Sequence, residues 1–549
     1  MFSIGIDYGT ESGRVLIIKK SGEIVGSSVI KYKHGVISKA LPNENRTPLP
    51  NHFALQHPND YLDVLKIGIP KALKQANVNK NKIVGIGIAF TSSTILPTDS
   101  QLEPLCLKNQ FKSRPQAWPK LWKHHHAEFE ANTIYNLASK EKVSWLKKYG
   151  NNISAEWFVP KCLEMYNNDL NLYEQTDLII EAGDWITSIL VGDIVRSNCS
   201  LSFKAFWDDV NGIPYDFLKK LNKDFGNSLP SKLRGDIKYV GKKAGYLNGS
   251  IANEIGLQVG TPVAVPIIDA HSSLIGIGAS EENQLTMVMG TSTCHLMLSK
   301  EEKIVEGISG VTKDTIIPGL YAYEAGQSAV GDLFAWYMKQ IPERYVKQAS
   351  EKNISLFDML NREAEKISPG ESGLVALDWH NGNRSILSNS SLSGLIAGMT
   401  LHTTPVQIYR TLLEATAFNA KTIIGQYEMS GLEINEVFAC GGIPIKNPLL
   451  MQIYSDILNK EIKVVKTQQA SAIGAAILGA VSGNLHPNIK DATKAMGNSA
   501  TIVYTPNESN SKTYKDLYEI YKHLHDYFGI RDRTVMEKLN LFREKSHSS

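Results

Sequence analysis

Two short segments carry acids, hydroxyls and glycines at the spacing that phosphate chemistry requires. The first, Asp7-Tyr-Gly9-Thr10-Glu-Ser-Gly13-Arg14, follows an apolar run. It offers a carboxylate at a strand end, a glycine where backbone N–H groups can approach a phosphate, then a hydroxyl and a guanidinium. The second, Met289-Gly290-Thr291-Ser292-Thr293, offers a glycine and three consecutive hydroxyls. An aspartate ending a strand is more often a turn-former than a phosphate or metal ligand. Recurrence of the turn far along the chain is what points to two surfaces clasping one phosphate chain. Gly441-Gly442 adds a tight turn between an apolar strand and a helix, open to a flat ring or a phosphate. The stretch from Gly235 to Lys242 has one residue too many for a P-loop and no hydroxyl after its lysine, so that phosphate-binding mode is excluded.

The elements that must position these residues come in two cycles. Strands are predicted at 4–7, 14–19 and 23–31, then a helix opened by Asn59 as N-cap and followed by Asn77, then a strand at 83–90. After the Gly/Pro-rich stretch 256–266 come strands at 285–289 and 294–298, a long helix at 406–426, a strand at 436–440, a helix at 448–458 and a strand at 461–465. Repetition of a whole half, rather than of a 20 to 50 residue unit, argues for a duplicated α/β fold with its function in the cleft between copies. Residues 100–255 read as a lid or substrate-shaping insertion on the first half. A helix at 513–528 with a stripe of Tyr514, Tyr518, Tyr521 and Tyr527 caps the chain, and 531–549 reads as a charged, mobile end.

Composition narrows the partners. A chain of 549 residues, 42% hydrophobic and 21% charged, suits two large domains, and 58 basic against 55 acidic side chains leave +3, without the one-signed surface of a nucleic-acid or membrane binder. Small molecules are the expected partners. Five single cysteines suggest neither a zinc site nor a disulfide framework. The chain enters directly on a strand, with no leader pattern and no apolar run of spanning length, so a cytoplasmic location is expected. The run Trp122-Lys-His-His-His126 is read as a solvated helix face rather than a metal site, since three adjacent histidines on a helix point in different directions.

The hairpins Ile6-Asp-Tyr-Gly-Thr10 and Met289-Gly-Thr-Ser-Thr293, with Ala439-Cys-Gly-Gly442, resemble the FGGY family of sugar kinases almost end to end. The stretches Ser154–Trp157, Glu181–Trp185, Arg196–Cys199, Asp269–His271, Gly290–His295, Tyr323–Ser328 and Leu377–Arg384 are similar to the branch of that family that phosphorylates ribulose. The resemblance implies two actin/hexokinase-like (ribonuclease H-like, βββαβα) domains. These are an N-terminal sugar-binding domain over 1–265 carrying the 100–255 insertion, and a C-terminal nucleotide-binding domain over 266–530, closing about a hinge near 260–270. It implies ATP and Mg²⁺, phosphoryl transfer to L-ribulose in arabinose breakdown, and a homodimer.

Residue by residue, it implies Asp269 as the catalytic base and Asp7 as the Mg²⁺ holder. Gly9, Thr10, Arg14, Gly290, Thr291 and Thr293 fall around the phosphates, and Gly442 and Asn447 at the adenine-side turn. Ser92, Lys204, Glu324 and Asp269 fall against the sugar. Ala470–Ala476 resembles the small-residue helix beside the nucleotide, and His271 reads as an orienting or packing residue. The branch carries Asp where this chain has Ala89. A kinase for another ketopentose or polyol, and a low-activity or sugar-sensing paralogue, therefore stand as alternatives.

Overall fold

The structure, a computed structural model, describes residues 1–497 and 500–547. Strands β1 (Phe2–Tyr8) and β2 (Ser12–Lys19) form an antiparallel hairpin in which Asp7 pairs with Arg14. β3 (Ile24–Lys31) extends it, and β4 (Ile83–Phe90) joins β1 in parallel, placing the wholly buried Ala89 beside Asp7. Helices α1 (Pro58–Asp63) and α2 (Ile69–Ala76) link β3 to β4 and end at Asn77, whose φ of 49° breaks the helix. The N-cap is His57, not Asn59. Pro58 fits the first helical position, where its missing N–H costs nothing, and the His57 ring accepts from the Asn59 N–H. β5 (Lys243–Tyr246) and β6 (Pro262–Ala264) complete the order β3-β2-β1-β4-β6-β5, while β7 (Ile267–Ile268) pairs with β4 at Ala89 and Phe90.

Much of the 100–255 region packs around a second apolar core that includes Phe158, Leu163, Phe225 and Leu229 and takes in Phe53 and Leu55, while its later part, with β5, Trp185 and Leu247, packs with the first sheet. Two of its helices matter below, α3 (Phe158–Asn168) and α4 (Asn198–Lys204). The Trp122–His126 run is not on a helix. Backbone bonds between Lys120 and Ile95 and between Leu121 and Ala54 pin its start, so His124 turns inward, wholly buried, and the expected solvated face does not form.

Helix α5 (Asp269–Gly276) leads into the second sheet: β8 (Gln284–Met289), β9 (Thr293–Ser299), β10 (Gly310–Lys313), β11 (Tyr321–Gln327), β12 (Glu436–Cys440), β13 (Ile462–Val465) and β14 (Thr501–Tyr504). Its order, β10-β11-β9-β8-β12-β13-β14, repeats the plan of the first with one strand added at the edge: antiparallel strands β10, β11, β9 and β8, then a parallel neighbour of the strand that opens the hairpin. Helices α6 (Gly331–Met338), α7 (Pro405–Met429), α8 (Gly442–Lys446), α9 (Pro448–Leu458) and α10 (Ala470–Ser482) follow. α7 opens with a capping box between Thr404 and Gln407. After α11 (Glu508–Asp526), where a mobile end is expected, stands helix α12 (Thr534–His547), anchored by the buried Met536 in the core of the second half.

The two sheets are joined by α5 and α10. Helix α10, apolar and small on every side, lies on β1 and β4 and against α5. Glycines make that approach possible: a Cβ on Gly5 would stand 2.0 Å from the Ala472 carbonyl, and one on Gly87 1.8 Å from that of Ala475. The first turn of α10 lies against Asp7, and Asp269 opens α5. Among the described residues no helix is long and apolar enough to cross a membrane.

Candidate active site

Asp7 is the penultimate residue of β1 and is buried. Its Oδ2 accepts from Arg14 at 2.8 Å and its Oδ1 from the Ser471 hydroxyl at 2.8 Å, while Ser272 on α5 donates to the Ser471 carbonyl at 2.7 Å. Asp269, the first residue of α5, follows directly on β7, which is why it stands beside the ends of β4 and β1. Burial, and then the negative charge of Asp7, push its carboxyl up to about 7, outweighing the N–H of Ala270 that bonds it at 2.7 Å. A carboxylate raised towards neutrality and near enough to a second to feel its charge is chemically able to accept a proton.

The two hairpins flank these acids. In the first, the Gly9 N–H closes on the Ser12 carbonyl, the Thr10 carbonyl accepts from Gln56 at 2.8 Å, and the Thr10 hydroxyl accepts from the Trp122 ring N–H at 3.1 Å. In the second, the Gly290 N–H closes on Ser292, and the carbonyls of Gly290 and Thr291 accept the N–H groups of residues 330–332 that open α6. Gly290 and Thr291 are exposed, and the buried Thr293 hydroxyl has no partner. The turn before α8 rests on this second hairpin. Gly441 has φ +109° and no room for a side chain, since a Cβ would stand 2.2 Å from the Met289 carbonyl. Gly442 faces open space, and the wholly buried Asn447 caps α9 by accepting from the Leu450 N–H at 3.1 Å.

A second group spans both halves. Lys204, at the end of α4, donates to Glu324 on β11 at 2.6 Å, and both are largely buried. The other Glu324 oxygen lies 3.0 Å from His271 Nε2, and His271 Nδ1 lies 3.2 Å from Cys199 Sγ. Burial raises the Cys199 thiol and lowers His271, so the thiol donates to Nδ1 and the neutral ring donates from Nε2 to Glu324. Burial alone would raise Glu324, yet the Lys204 charge and the His271 bond hold it well below the carboxylate range. His271 thus orients Glu324, the role its type suggested.

Ser92 sits on the loop that leaves β4. That loop is held by the Thr91–Thr94 hydroxyl pair at 2.8 Å and by Lys161 of α3, whose buried ammonium donates to the carbonyls of Ser93 (2.7 Å) and Leu121 (2.8 Å). Ser93 takes a φ of +48°, uncommon for a side-chain-bearing residue. Burial pushes Lys161 down to about 7 despite the carboxylates of Glu181 and Glu156.

The sequence reading missed Lys161 and Ser471 as functional supports. Lys161 carries no local signal, while Ser471 lies inside the small-residue stretch already singled out. Trp379 is wholly buried with its ring edge-on to His525, and His380 packs on Trp336, so both are packing residues.

His124, His126 and Glu164 bring three potential metal ligands within 4.8 Å of one another. Their chemistry is already closed. Glu164 accepts from both imidazoles and from Gln116, and the Ala54 N–H donates to His124 Nδ1, which fixes the proton on the Nε2 that a metal would need bare.

The cleft residues fit a nucleotide and a hard cation. Two neighbouring carboxylates are the oxygen donors Mg²⁺ prefers, and the open glycines with a buried Thr293 hydroxyl that has no partner among the described residues leave room and a donor for phosphate.

Comparison with known proteins agrees. Residues 2–276 match the N-terminal domain, and residues 285–483 the C-terminal domain, of the FGGY family of carbohydrate kinases. The chain is 48% identical over 540 residues to Ribulokinase 2 of Staphylococcus saprophyticus, covering 98% of this chain and 99% of that one. It is 47% identical over 543 residues to Ribulokinase of Staphylococcus aureus (strain Newman), covering 99% of each. Its fold is similar to that of a xylulose kinase from Rhodospirillum rubrum (TM-score 0.77, 18% identity, 96% of this chain and 99% of that one). The glycerol kinase of Plasmodium falciparum is comparably similar (TM-score 0.75, 19% identity, 95% and 97%). Two matched domains and near full-length identity to kinases place the repeated sheets, the paired hairpins and the neighbouring acids in one setting: the chain belongs to the FGGY family of carbohydrate kinases.

Proposed function

We propose that the chain transfers the γ-phosphoryl group of ATP to the O5 hydroxyl of L-ribulose, giving L-ribulose 5-phosphate in arabinose breakdown in the cytoplasm. The observation that carries this reading is Asp269, which opens α5 beside the ends of β4 and β1 and is held near neutrality by burial and the charge of Asp7. Identity to ribulokinases supports the choice of sugar. Bound Mg-ATP supplies the phosphoryl group and the cation that neutralises its developing charge.

The chain's own residues do the rest. Lys204, Glu324 and Ser92 hold the sugar hydroxyls, the donor and acceptor set that a polyol needs. Asp269 accepts the proton of the attacking hydroxyl as the O–P bond forms, and its raised pKa matches that task. Asp7 holds the Mg²⁺ through water. The turns Gly9–Thr10 with Arg14, and Gly290–Thr293, hold the phosphates, and the turn from Gly442 to Asn447 receives the adenine. The domain division at 265/266 and a homodimeric assembly belong to the same proposal. Asp7 and Asp269 both stand although Ala89 is no acid, which favours an active enzyme over a sensing paralogue.

An ADP-release assay over pentuloses and polyols tests the reading. ADP release dependent on L-ribulose supports it. Release without sugar makes the protein an ATPase, and none with any sugar makes it a sensor; either result overturns the proposal.

A further inference from the structure

One contact system joins the two phosphate turns from outside the acids. Arg384, in the loop after Trp379 of the second half, has its Cζ 5.7 Å from the Trp122 ring centroid and donates from Nη2 to Glu156 at 2.8 Å; both partners belong to the first half. His125 Nε2 lies 2.9 Å from the same Glu156 oxygen. Burial would raise Glu156, but Arg384 and His125 hold it down at about 2. The Arg384 loop is tied to β11 by the bond from the Gly326 N–H to the Ser385 hydroxyl at 3.1 Å. Arg384 also lies close to the base of the second hairpin. A Cβ built on Gly326 would meet its Nη1 at 3.2 Å and the Thr293 carbonyl at 3.4 Å. At the other end, the N–H of Trp122 donates to the Thr10 hydroxyl at 3.1 Å. Arg384, which lies near the base of the second phosphate turn, is thus linked through Trp122 to the side chain of the first.

We propose that Trp122 is a positioning residue for Thr10, clamped from the opposite half by Arg384, which Glu156 of the first half holds in place, so that the two phosphate turns are set as one unit. This rests on the reading of those turns as nucleotide-binding. Without the Trp122 N–H the Thr10 hydroxyl rotates freely, and without Arg384 the indole loses the cation over its face. Either loss loosens the grip on phosphate and leaves the adenine turn untouched.

The test is calorimetric binding of Mg²⁺ with the non-hydrolysable ATP analogue AMP-PNP to the full chain. Trp122→Phe keeps a ring beneath Arg384 but removes the N–H, and Arg384→Gln removes the cation. Each is expected to weaken binding about 3- to 10-fold, the range of one modest hydrogen bond or cation–π contact. The double variant should be no more than about twofold weaker than the worse single, because both act on one path. The Kd for adenosine, which carries no phosphate, should not change. Glu156→Gln approaches the same clamp from its acid and should weaken binding in the same direction, which preserves the test if a variant at Trp122 fails to fold. Unchanged AMP-PNP affinity in folded variants, effects that multiply in the double variant, or an equal loss of adenosine binding would overturn this inference alone. Failure of the wild-type protein to bind AMP-PNP would overturn the nucleotide reading and this inference with it.

Discussion

Ser471 donates a 2.8 Å hydrogen bond to Oδ1 of Asp7, a residue 464 positions away in the chain. With Arg14 on the other oxygen, the Asp7 carboxylate is fixed in orientation before any cation arrives. Ser471→Ala should raise the Mg²⁺ concentration for half-maximal activity several-fold, and Ser471→Thr should restore it. Titration of Mn²⁺ in the presence of ADP, followed by electron paramagnetic resonance, reads the same change without turnover. Unaltered metal affinity in Ser471→Ala would show that Arg14 alone orients Asp7.

Asp269→Asn removes the proposed base while leaving the phosphate turns intact. The kcat should fall about 10²- to 10⁴-fold, the range for loss of a general base, with AMP-PNP affinity within about twofold of wild type. In the wild type, kcat/KM for the sugar should fall as pH drops through about 7, the value to which burial and Asp7 raise Asp269. The acid limb of kcat should lie lower, because a cation at Asp7 favours the charged form.

The same shift has a consequence for stability. The folded state keeps the Asp269 proton up to about 7, whereas the unfolded chain releases it near the ordinary aspartate value of 3.8, so stability is lost as pH rises between those values. Asp269→Asn should therefore stabilise the protein at pH 8, by on the order of 1–3 kcal/mol given the open cleft, and not at pH 4. Urea unfolding at the two pH values measures the difference, and a gain at pH 4 alone would contradict the sign.

Lys161→Met keeps the length of the side chain but removes the two bonds that hold Ser93 and Leu121. Since the loop it pins carries Ser92, the KM for the sugar should rise about tenfold while the KM for ATP stays put. Steady-state kinetics with each substrate varied in turn decides it, and equal shifts in both constants would reduce Lys161 to a general structural role.

Lys204→Met breaks the pair that bridges the halves. Glu324 keeps His271 but loses its cation, and one-sided removal of a buried partner costs about 3–5 kcal/mol. The lower end is expected, seen as a fall in the urea midpoint together with a raised KM for the sugar. Full retention of both would show that Glu324 is served by His271 alone.

The backbone plan was largely written in local patterns. The strands at 83–90 and 436–440 and the helix at 448–458 stand where their apolar periodicity predicts them. Errors arise where a local preference met a stronger constraint. Pro58 moves a helix start from Asn59 to His57, and backbone bonds of Lys120 with Ile95 and of Leu121 with Ala54 pull Trp122–His126 out of any helix. The tail at 534–547 is polar enough to read as mobile, but Met536 anchors it. Within the site, residues inside recognisable turns were legible. Ser471, Lys161, Trp122 and Arg384 were not, because each acts on a partner 68 or more positions away, and neither spacing nor propensity encodes such pairings.

The most direct measurement is the identity of the product. Uniformly ¹³C-labelled L-ribulose incubated with ATP and Mg²⁺ should show phosphorus coupling at C5, growing in proportion to ADP release and absent with Asp269→Asn. ADP release without a phosphorylated sugar, or phosphate on any other carbon, would contradict the account.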